Sequence, residues 1–223
     1  MSRVPKLRKY DVTQGEIDNM LRASSSLLID GHYVIGDKHR RKWFNPFGLT
    51  ANPIIADRLA QAMKERWLFD RPQVIVAAAP RAMIIGHHLA LHFSLKGPVV
   101  EFVYLEKGPM GYAFRPHHAE RIHGKIVLIC DDAIRSGKTA QEMIDPVAQV
   151  GGHVLGVTTV IDCGRVTALD LGVSKIVSLH RLEDEEYDPP CPMCEQGIKI
   201  NTVFGDGQKF LDDQRELISS RPE

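Results

Sequence analysis

Asp131 and Asp132 stand together at the end of the apolar run Val127, Leu128, Ile129 and Cys130, and Ala-Ile-Arg-Ser-Gly-Lys-Thr (133–139) follows them. Neighbouring carboxylates beside a core are costly unless something pairs them. They repel anions, so they suit hydroxyl donors or a cation. In an extended strand the two side chains face opposite sides, and both reach one ligand only if the chain turns there. The segment behind them suits such a turn. Ser136, Gly137 and Thr139 offer amides and hydroxyls at the start of a helix, where a phosphate monoester is held with help from the positive end of the helix dipole. A sugar phosphate has both halves: vicinal hydroxyls for the carboxylates and a phosphate for the loop.

Gly137-Lys138-Thr139 also looks like the end of a nucleotide-binding P-loop. That motif requires glycine where Asp132 stands, and the Asp132 charge would oppose a nucleotide phosphate. An acidic turn that merely caps a helix is the bland alternative, since Asp and Ser are ordinary residues there. Four apolar residues, two acids and a Ser-Gly-x-Thr turn are more particular than a cap needs.

The elements that must position this site follow from periodicity. Thr13 is a possible cap for a helix whose face holds Ile17, Met20, Leu21, Leu27 and Leu28. Tyr33 and Ile35 alternate like a short strand before a basic turn. Asn52 and Pro53 open a helix with an Ile55, Leu59, Met63 and Trp67 stripe. Strands are predicted at 73–79, 98–105, 125–130, 153–161 and 175–180, with helices at 82–93, at 139–150 (bent by Pro146) and at 207–223. Short Val- and Ile-rich runs separated by helices predict an α/β fold, a parallel sheet covered on both faces. Ligands of such sheets sit beyond the carboxyl ends of the strands, which draws 79–83, 105–124 and 131–139 to one crevice. Nothing in composition marks a boundary, so residues 1–223 are expected to form a single domain.

Lysine plus arginine (28) equals aspartate plus glutamate (28) in the 223 residues, so no overall field draws in nucleic acid or an anionic membrane. No apolar run is long enough to span a bilayer. No apolar segment follows the basic start, which argues against a secretory signal, and four cysteines are no disulfide framework. A cytoplasmic location is expected.

Residues 127–139, Val-Leu-Ile-Cys-Asp-Asp-Ala-Ile-Arg-Ser-Gly-Lys-Thr, resemble the phosphoribosyl-diphosphate signature of the type I phosphoribosyltransferases. The resemblance spans roughly 31–200 and is closest to the orotate phosphoribosyltransferases. It includes Gly-His-Tyr-Val-Ile (31–35), the strand and helix at 76–90, Phe-Val-Tyr-Leu-Glu-Lys (102–107) and Tyr-Asp-Pro-Pro-Cys-Pro-Met-Cys-Glu-Gln-Gly-Ile (187–198). It implies a mostly parallel central sheet flanked by helices, with an N-terminal hood (1–50), a core (51–182), a C-terminal extension (183–223) and a mobile active-site loop. It further implies transfer of the phosphoribosyl group from 5-phosphoribosyl 1-diphosphate (PRPP) to a nucleobase, with orotate the first choice. Asp131 and Asp132 would hold the ribose hydroxyls, and Ala133, Ile134, Arg135, Ser136, Gly137, Lys138 and Thr139 the 5-phosphate. Pro80, Arg81 and Ala82 would face the diphosphate, with Mg2+ bridging substrate oxygens. The same resemblance implies a homodimer.

Residues 106–124 fit a lid, freed by Gly108 and Gly111, that carries Lys107, Arg115, His117 and His118 towards the diphosphate. Lys107 matches the family's catalytic lysine by its Glu-Lys context; neither histidine aligns to a fixed spacing. Three departures bear on the base. The family's Asp-Arg reads Asp162-Cys163-Gly164-Arg165, its early Lys-Ser-Gly reads Gly36-Asp37-Lys38, and its Thr-Thr-Gly-Gly reads Arg135-Ser136-Gly137-Lys138. Arg165 or Lys38 are the substitutes for the base-contacting cation. A different base, or a PRPP-binding regulator without turnover, stays open. Cys191 and Cys194 make half a zinc site, to be completed by Cys163, His180 or a partner chain's pair; reduced structural thiols are the default. The acidic stretch 181–188 reads as a solvated face.

Overall fold

The computed structural model describes residues 12–67, 69–109, 111–183 and 185–219. In chain order these form α1 (Gln14–Ala23), β1 (Leu27–Leu28), β2 (Tyr33–Ile35), β3 (Lys38–Arg40), β4 (Trp43–Phe44), α2 (Phe47–Ala51) and α3 (Pro53–Glu65). The central part holds β5 (Val74–Ala77), α4 (Pro80–Ser94), β6 (Glu101–Tyr104), β7 (Glu106–Gly108), β8 (Gly111–Ala113), α5 (Pro116–Ile122), β9 (Ile126–Ile134), α6 (Lys138–Gln149), β10 (His153–Asp162) and β11 (Ile176–Arg181). β12 (Glu186–Tyr187), α7 (Pro192–Glu195) and α8 (Gly207–Ser219) complete the chain.

Five strands make one parallel sheet in the order β11-β10-β9-β5-β6. β9 lies in its middle and is buried on both faces, which is why its sequence is continuously apolar rather than alternating. Parity divides the core in two. Ile75, Ala77, Leu128 and Cys130 pack on one face with Leu59, Met63, Leu89 and Phe93 of α3 and α4. Val74, Val76, Val127 and Ile129 pack on the other with Ile122, Met143 and Val147 of α5 and α6. Caps chosen by the sequence hold the helices. Thr13 and Glu16 form a reciprocal capping box on α1, and the Asn52 side chain accepts from the Ile54 and Ile55 amides of α3.

After β5 the chain steps first to β6 on one side and then to β9 on the other. The loops leaving β5 and β9 therefore open into the same crevice, the place where such sheets take ligands. Pairing of β5 with β9 ends at Ala77 and Cys130, whereas β10 follows β9 up to Ile134. From Asp131 onward, β9 has lost its β5 neighbour.

The N- and C-terminal regions meet. β12 pairs with β3 and β3 with β2, giving a three-stranded antiparallel sheet. Asn201 and Asp206 donate backbone N–H bonds to the His32 and Val34 carbonyls at 2.7 and 2.8 Å. Part of the expected hood (33–40) and part of the expected C-terminal extension (186–187) thus share one sheet.

Several expectations need correction. Leu27 and Leu28 form β1 rather than continuing α1, because the helix closes at Ser24. The basic turn after Ile35 is β3, returned by Gly36 at φ +61°. Trp67 lies past the end of α3, though still buried. β9 does not end before the acids but runs through them to Ile134. Residues 106–124 carry a β7–β8 hairpin and the short helix α5 instead of an open loop. The acidic stretch 181–188 contributes strand β12, whose Glu186 is an ion-pair partner rather than a solvated charge. Residues 220–223 of the predicted terminal helix lie outside the described residues.

Candidate active site

Asp131 and Asp132 are both buried. Strand parity sends them to opposite faces of β9, and no turn intervenes to bring them together. Asp131 follows Ile129 onto the α6 face and lines an open cavity of about 110 Å³ with residues 133–140. Asp132 follows Cys130 onto the α4 face, where its Oδ2 accepts from Arg81 Nε at 2.9 Å. The Asp132 amide donates to Asp131 Oδ1 at 2.9 Å. The acids lie on opposite faces of β9, just before its end at Ile134, on the stretch that has lost its β5 neighbour but still pairs with β10.

Burial, and then the neighbouring Asp132 charge, push the Asp131 carboxyl far above the ordinary range, to about 8; the Asp132 amide and Arg81 oppose the shift without cancelling it. The linkage sign follows. Below pH 4 the carboxyl is protonated in folded and unfolded chains alike, so it costs nothing. Between pH 4 and 8 only the unfolded chain releases the proton, so stability is lost as pH rises through the folded value. Asp131→Asn removes that loss. Its melting temperature should exceed that of the wild type at pH 8 by several degrees, and the gap should close towards pH 4–5. A gap independent of pH in paired thermal melts would contradict this assignment.

The loop behind the acids is shaped by Gly137, at φ +77°, which caps α6. A Cβ there would lie 2.8 Å from Val166 Cγ2 and 3.1 Å from Leu171 Cδ2, so the 163–171 segment closes against the loop from behind. The cavity is well below the roughly 300–1,000 Å³ of a drug-sized pocket, and it suits a phosphate group rather than a whole nucleotide. Ser136 is exposed, and its Oγ accepts from the Lys138 amide at a long 3.4 Å. Lys138 itself points away, its side chain 81% exposed and 3.8 Å from Glu142. A P-loop lysine would reach back over the loop; this one does not.

The β7–β8 hairpin lies against α6, with a cleft between them lined by Gly108, Tyr112, Glu142 and Asp145. Lys107 is paired in register with Tyr112, its Nζ 5.9 Å from the ring centroid. Burial first, and then the Asp131 charge, hold the Tyr112 hydroxyl above its ordinary value. Tyr112 packs on the α6 face of the sheet, the face Asp131 joins, and the sequence did not single it out. Arg115 is held by Glu106 at 2.7 Å. His117 is exposed on α5. His118 packs against Tyr104 and lines a separate cavity with His87, Phe102 and Arg121. Neither histidine is gathered with the acids.

The two base-side cations do meet one surface, the three-stranded sheet. Lys38 reaches Asp188 at 2.5 Å, and Arg165 reaches Glu186 at 2.6 Å. Glu186 also holds the buried Arg40. Arg165 sits beside Val166, which touches the Gly137 position, so the phosphate loop and the sheet adjoin through this segment. Cys191 and Cys194 lie against His32 and His39, not against the expected Cys163 or His180; His180 is instead engaged with Asp18 at 3.0 Å. A histidine spacing of seven on a hairpin is no familiar ligand signature, and nothing in the sequence joined residues 32 and 39 to 191 and 194.

Residues 48–183 match the model of the phosphoribosyl transferase domain, more than half of the chain. The orotate phosphoribosyltransferase of Desulforamulus reducens is 26% identical over 177 residues, covering 77% of this chain and 86% of the relative. That of Novosphingobium aromaticivorans is 28% identical over 170 residues, covering 72% and 80%. The solved orotate phosphoribosyltransferase of Mycobacterium tuberculosis, with inorganic phosphate bound, superposes with a TM-score of 0.59 at 17% identity over 79% of this chain and 91% of that one. The adenine phosphoribosyltransferase of Thermoanaerobacter pseudethanolicus gives 0.56 at 18% over 76% and 100%. The chain belongs to the phosphoribosyl transferase domain family. Within that class it is a type I phosphoribosyltransferase, an enzyme of glycosyl transfer. The fold is shared by enzymes named for orotate and for adenine, so it does not by itself select a base.

Proposed function

We propose that the protein transfers the phosphoribosyl group of PRPP to orotate, giving orotidine 5'-monophosphate and diphosphate. The observation that carries the reading is the pair of buried carboxyls on the stretch of β9 that has lost its β5 neighbour, one of which, Asp131, lines a phosphate-sized cavity. In this reading Asp131 and Asp132 accept from the ribose hydroxyls, and the backbone and hydroxyls of 133–139 hold the 5-phosphate. Pro80, Arg81 and Ala82, at the start of α4, meet the diphosphate. The bond from the anomeric carbon to the diphosphate oxygen breaks, and the leaving group departs with the electron pair. A ring nitrogen of the base forms the new bond and loses its proton. The sugar becomes cationic on the way, and buried carboxylates beside it favour that charge. Lys107, carried by the hairpin, neutralises the departing diphosphate.

The donor set fits a hard divalent cation. Among the described residues the two buried carboxyls have only the guanidinium of Arg81 beside them, on Asp132, and burial first and then the Asp132 charge make Asp131 keep a proton that an entering cation would displace. Asp131 and Asp132 would hold Mg2+ through the sugar hydroxyls, and its role would be to neutralise diphosphate oxygens. Orotate is favoured over a neutral base by the cations Lys38, Arg40 and Arg165 gathered on the small sheet, where a carboxylate would exchange for Asp188 or Glu186. The reading includes a homodimer.

Diphosphate release in the presence of PRPP and Mg2+, measured across orotate, uracil and purines, tests the choice of base. Orotate should turn over fastest. Turnover confined to a purine would end the orotate assignment, and tight PRPP binding with no turnover on any base would favour a regulator.

A further inference from the structure

Outside the proposed PRPP site, a gathering of metal-ligating side chains among the described residues joins the N-terminal and C-terminal regions. His32 precedes β2, His39 lies in β3, and Cys191 and Cys194 open α7. His32, His39 and Cys191 are buried, and Cys194 is half-buried. Their ligand atoms form a closed tetrahedron. Cys191 Sγ is 3.5 Å from Cys194 Sγ, 3.5 Å from His32 Nε2 and 3.3 Å from His39 Nδ1. Cys194 Sγ is 3.8 Å from His32 Nε2 and 3.4 Å from His39 Nδ1, and the two nitrogens are 2.7 Å apart. A tetrahedral zinc ion with Zn–S of about 2.3 Å and Zn–N of about 2.0 Å sets edges of about 3.8 Å between sulfurs, 3.5 Å between sulfur and nitrogen and 3.3 Å between nitrogens. Five of the six observed edges fall close to these values; the nitrogen edge is short.

The surroundings orient the ligands. His32 Nδ1 lies 2.7 Å from the Ile198 carbonyl, which can only accept, so the ring carries its proton there and turns a lone pair from Nε2 into the cluster. The Cys194 amide donates to Cys191 Sγ at 3.4 Å, as it would to a thiolate. His39 meets Phe210 edge to face, 4.9 Å between centroids. Two thiolates, two imidazoles and no open position describe a structural zinc site rather than a catalytic one.

We propose that His32, His39, Cys191 and Cys194 bind one zinc ion, which fastens the C-terminal segment to the β2–β3 hairpin. All four residues lie outside 48–183, the part matched to the phosphoribosyl transferase domain model. The ion sits next in sequence to Lys38 and holds the sheet from which Lys38 and Arg40 project. It binds whether or not the base is orotate.

Metal analysis of the whole protein, expressed with zinc and purified under reducing conditions, tests the site directly. About one zinc per chain is expected, falling to background in Cys191→Ser with Cys194→Ser. Should that variant fail to fold, the wild type decides: after metal exchange with cobalt(II) it should show the intense visible bands of a tetrahedral site and thiolate-to-cobalt charge transfer. Protein with no metal and no cobalt spectrum would overturn the proposal. A Cys191–Cys194 disulfide in protein prepared under reducing conditions would overturn it too.

Discussion

Replacing both acids, Asp131→Asn with Asp132→Asn, is expected to lower PRPP affinity by about two to four orders of magnitude, since each carboxylate loses a charge-assisted hydrogen bond worth roughly 1.5–3 kcal/mol. The amides keep the shape and can still accept hydrogen bonds, so what is removed is the charge the acids carry once PRPP and its cation are seated. Turnover should fall at least as far. The fold should survive, because the substitution relieves the burial and mutual repulsion that hold the Asp131 proton so tightly. A loss of PRPP binding accompanied by a higher melting temperature above neutral pH is therefore the expected signature. Calorimetric titration of PRPP and thermal melts on the same preparation check both halves. Wild-type affinity in the double variant would remove the acids from the site.

Gly137→Ala should act on the other half of the pocket. An alanine at φ +77° costs about 1–2 kcal/mol in the left-handed region. Its Cβ, 2.8 Å from Val166 Cγ2, adds an overpacking cost of about 1–3 kcal/mol. The variant should melt several degrees below the wild type, at about 2–4 °C per kcal/mol for a chain of this size. Relief of the clash moves either the loop amides or the 163–171 segment, so PRPP binding should weaken more than tenfold. An unchanged melting temperature with unchanged binding would show that the loop tolerates a side chain there.

The core was legible in the sequence because its signals are local and redundant. β9 is apolar on both faces, α3 carries an Asn-Pro start and an amphipathic stripe, and both patterns survive in the structure. The acidic pair and its loop were legible as a candidate because their residues are adjacent in the sequence. The error there was one of strand length: apolar composition stops at Cys130, but β10 goes on pairing to Ile134 and carries the acids with it. The hairpin at 106–113 was invisible, since its residues match no strand pattern and its order comes from packing on α6. The small sheet was hardest. It joins residues 33–40 to 186–187, and such separated short segments leave no periodicity to detect. His32 and His39 were missed for the same reason, although Cys191 and Cys194 were visible as a spaced pair. Glu186 was misjudged because an acidic run reads as solvated until Arg40 and Arg165 are placed around one of its members.

The central claim is that the end of β9 grips a pentose while the bend behind it holds the terminal phosphate. A crystal structure with PRPP and Mg2+ bound tests this most directly. The sugar hydroxyls should lie within hydrogen-bonding distance of Asp131 and Asp132, with the 5-phosphate seated on the amides of residues 135–139. PRPP bound elsewhere, with Asp132 still turned to Arg81 and Asp131 still closed on its neighbour's amide, would contradict the account.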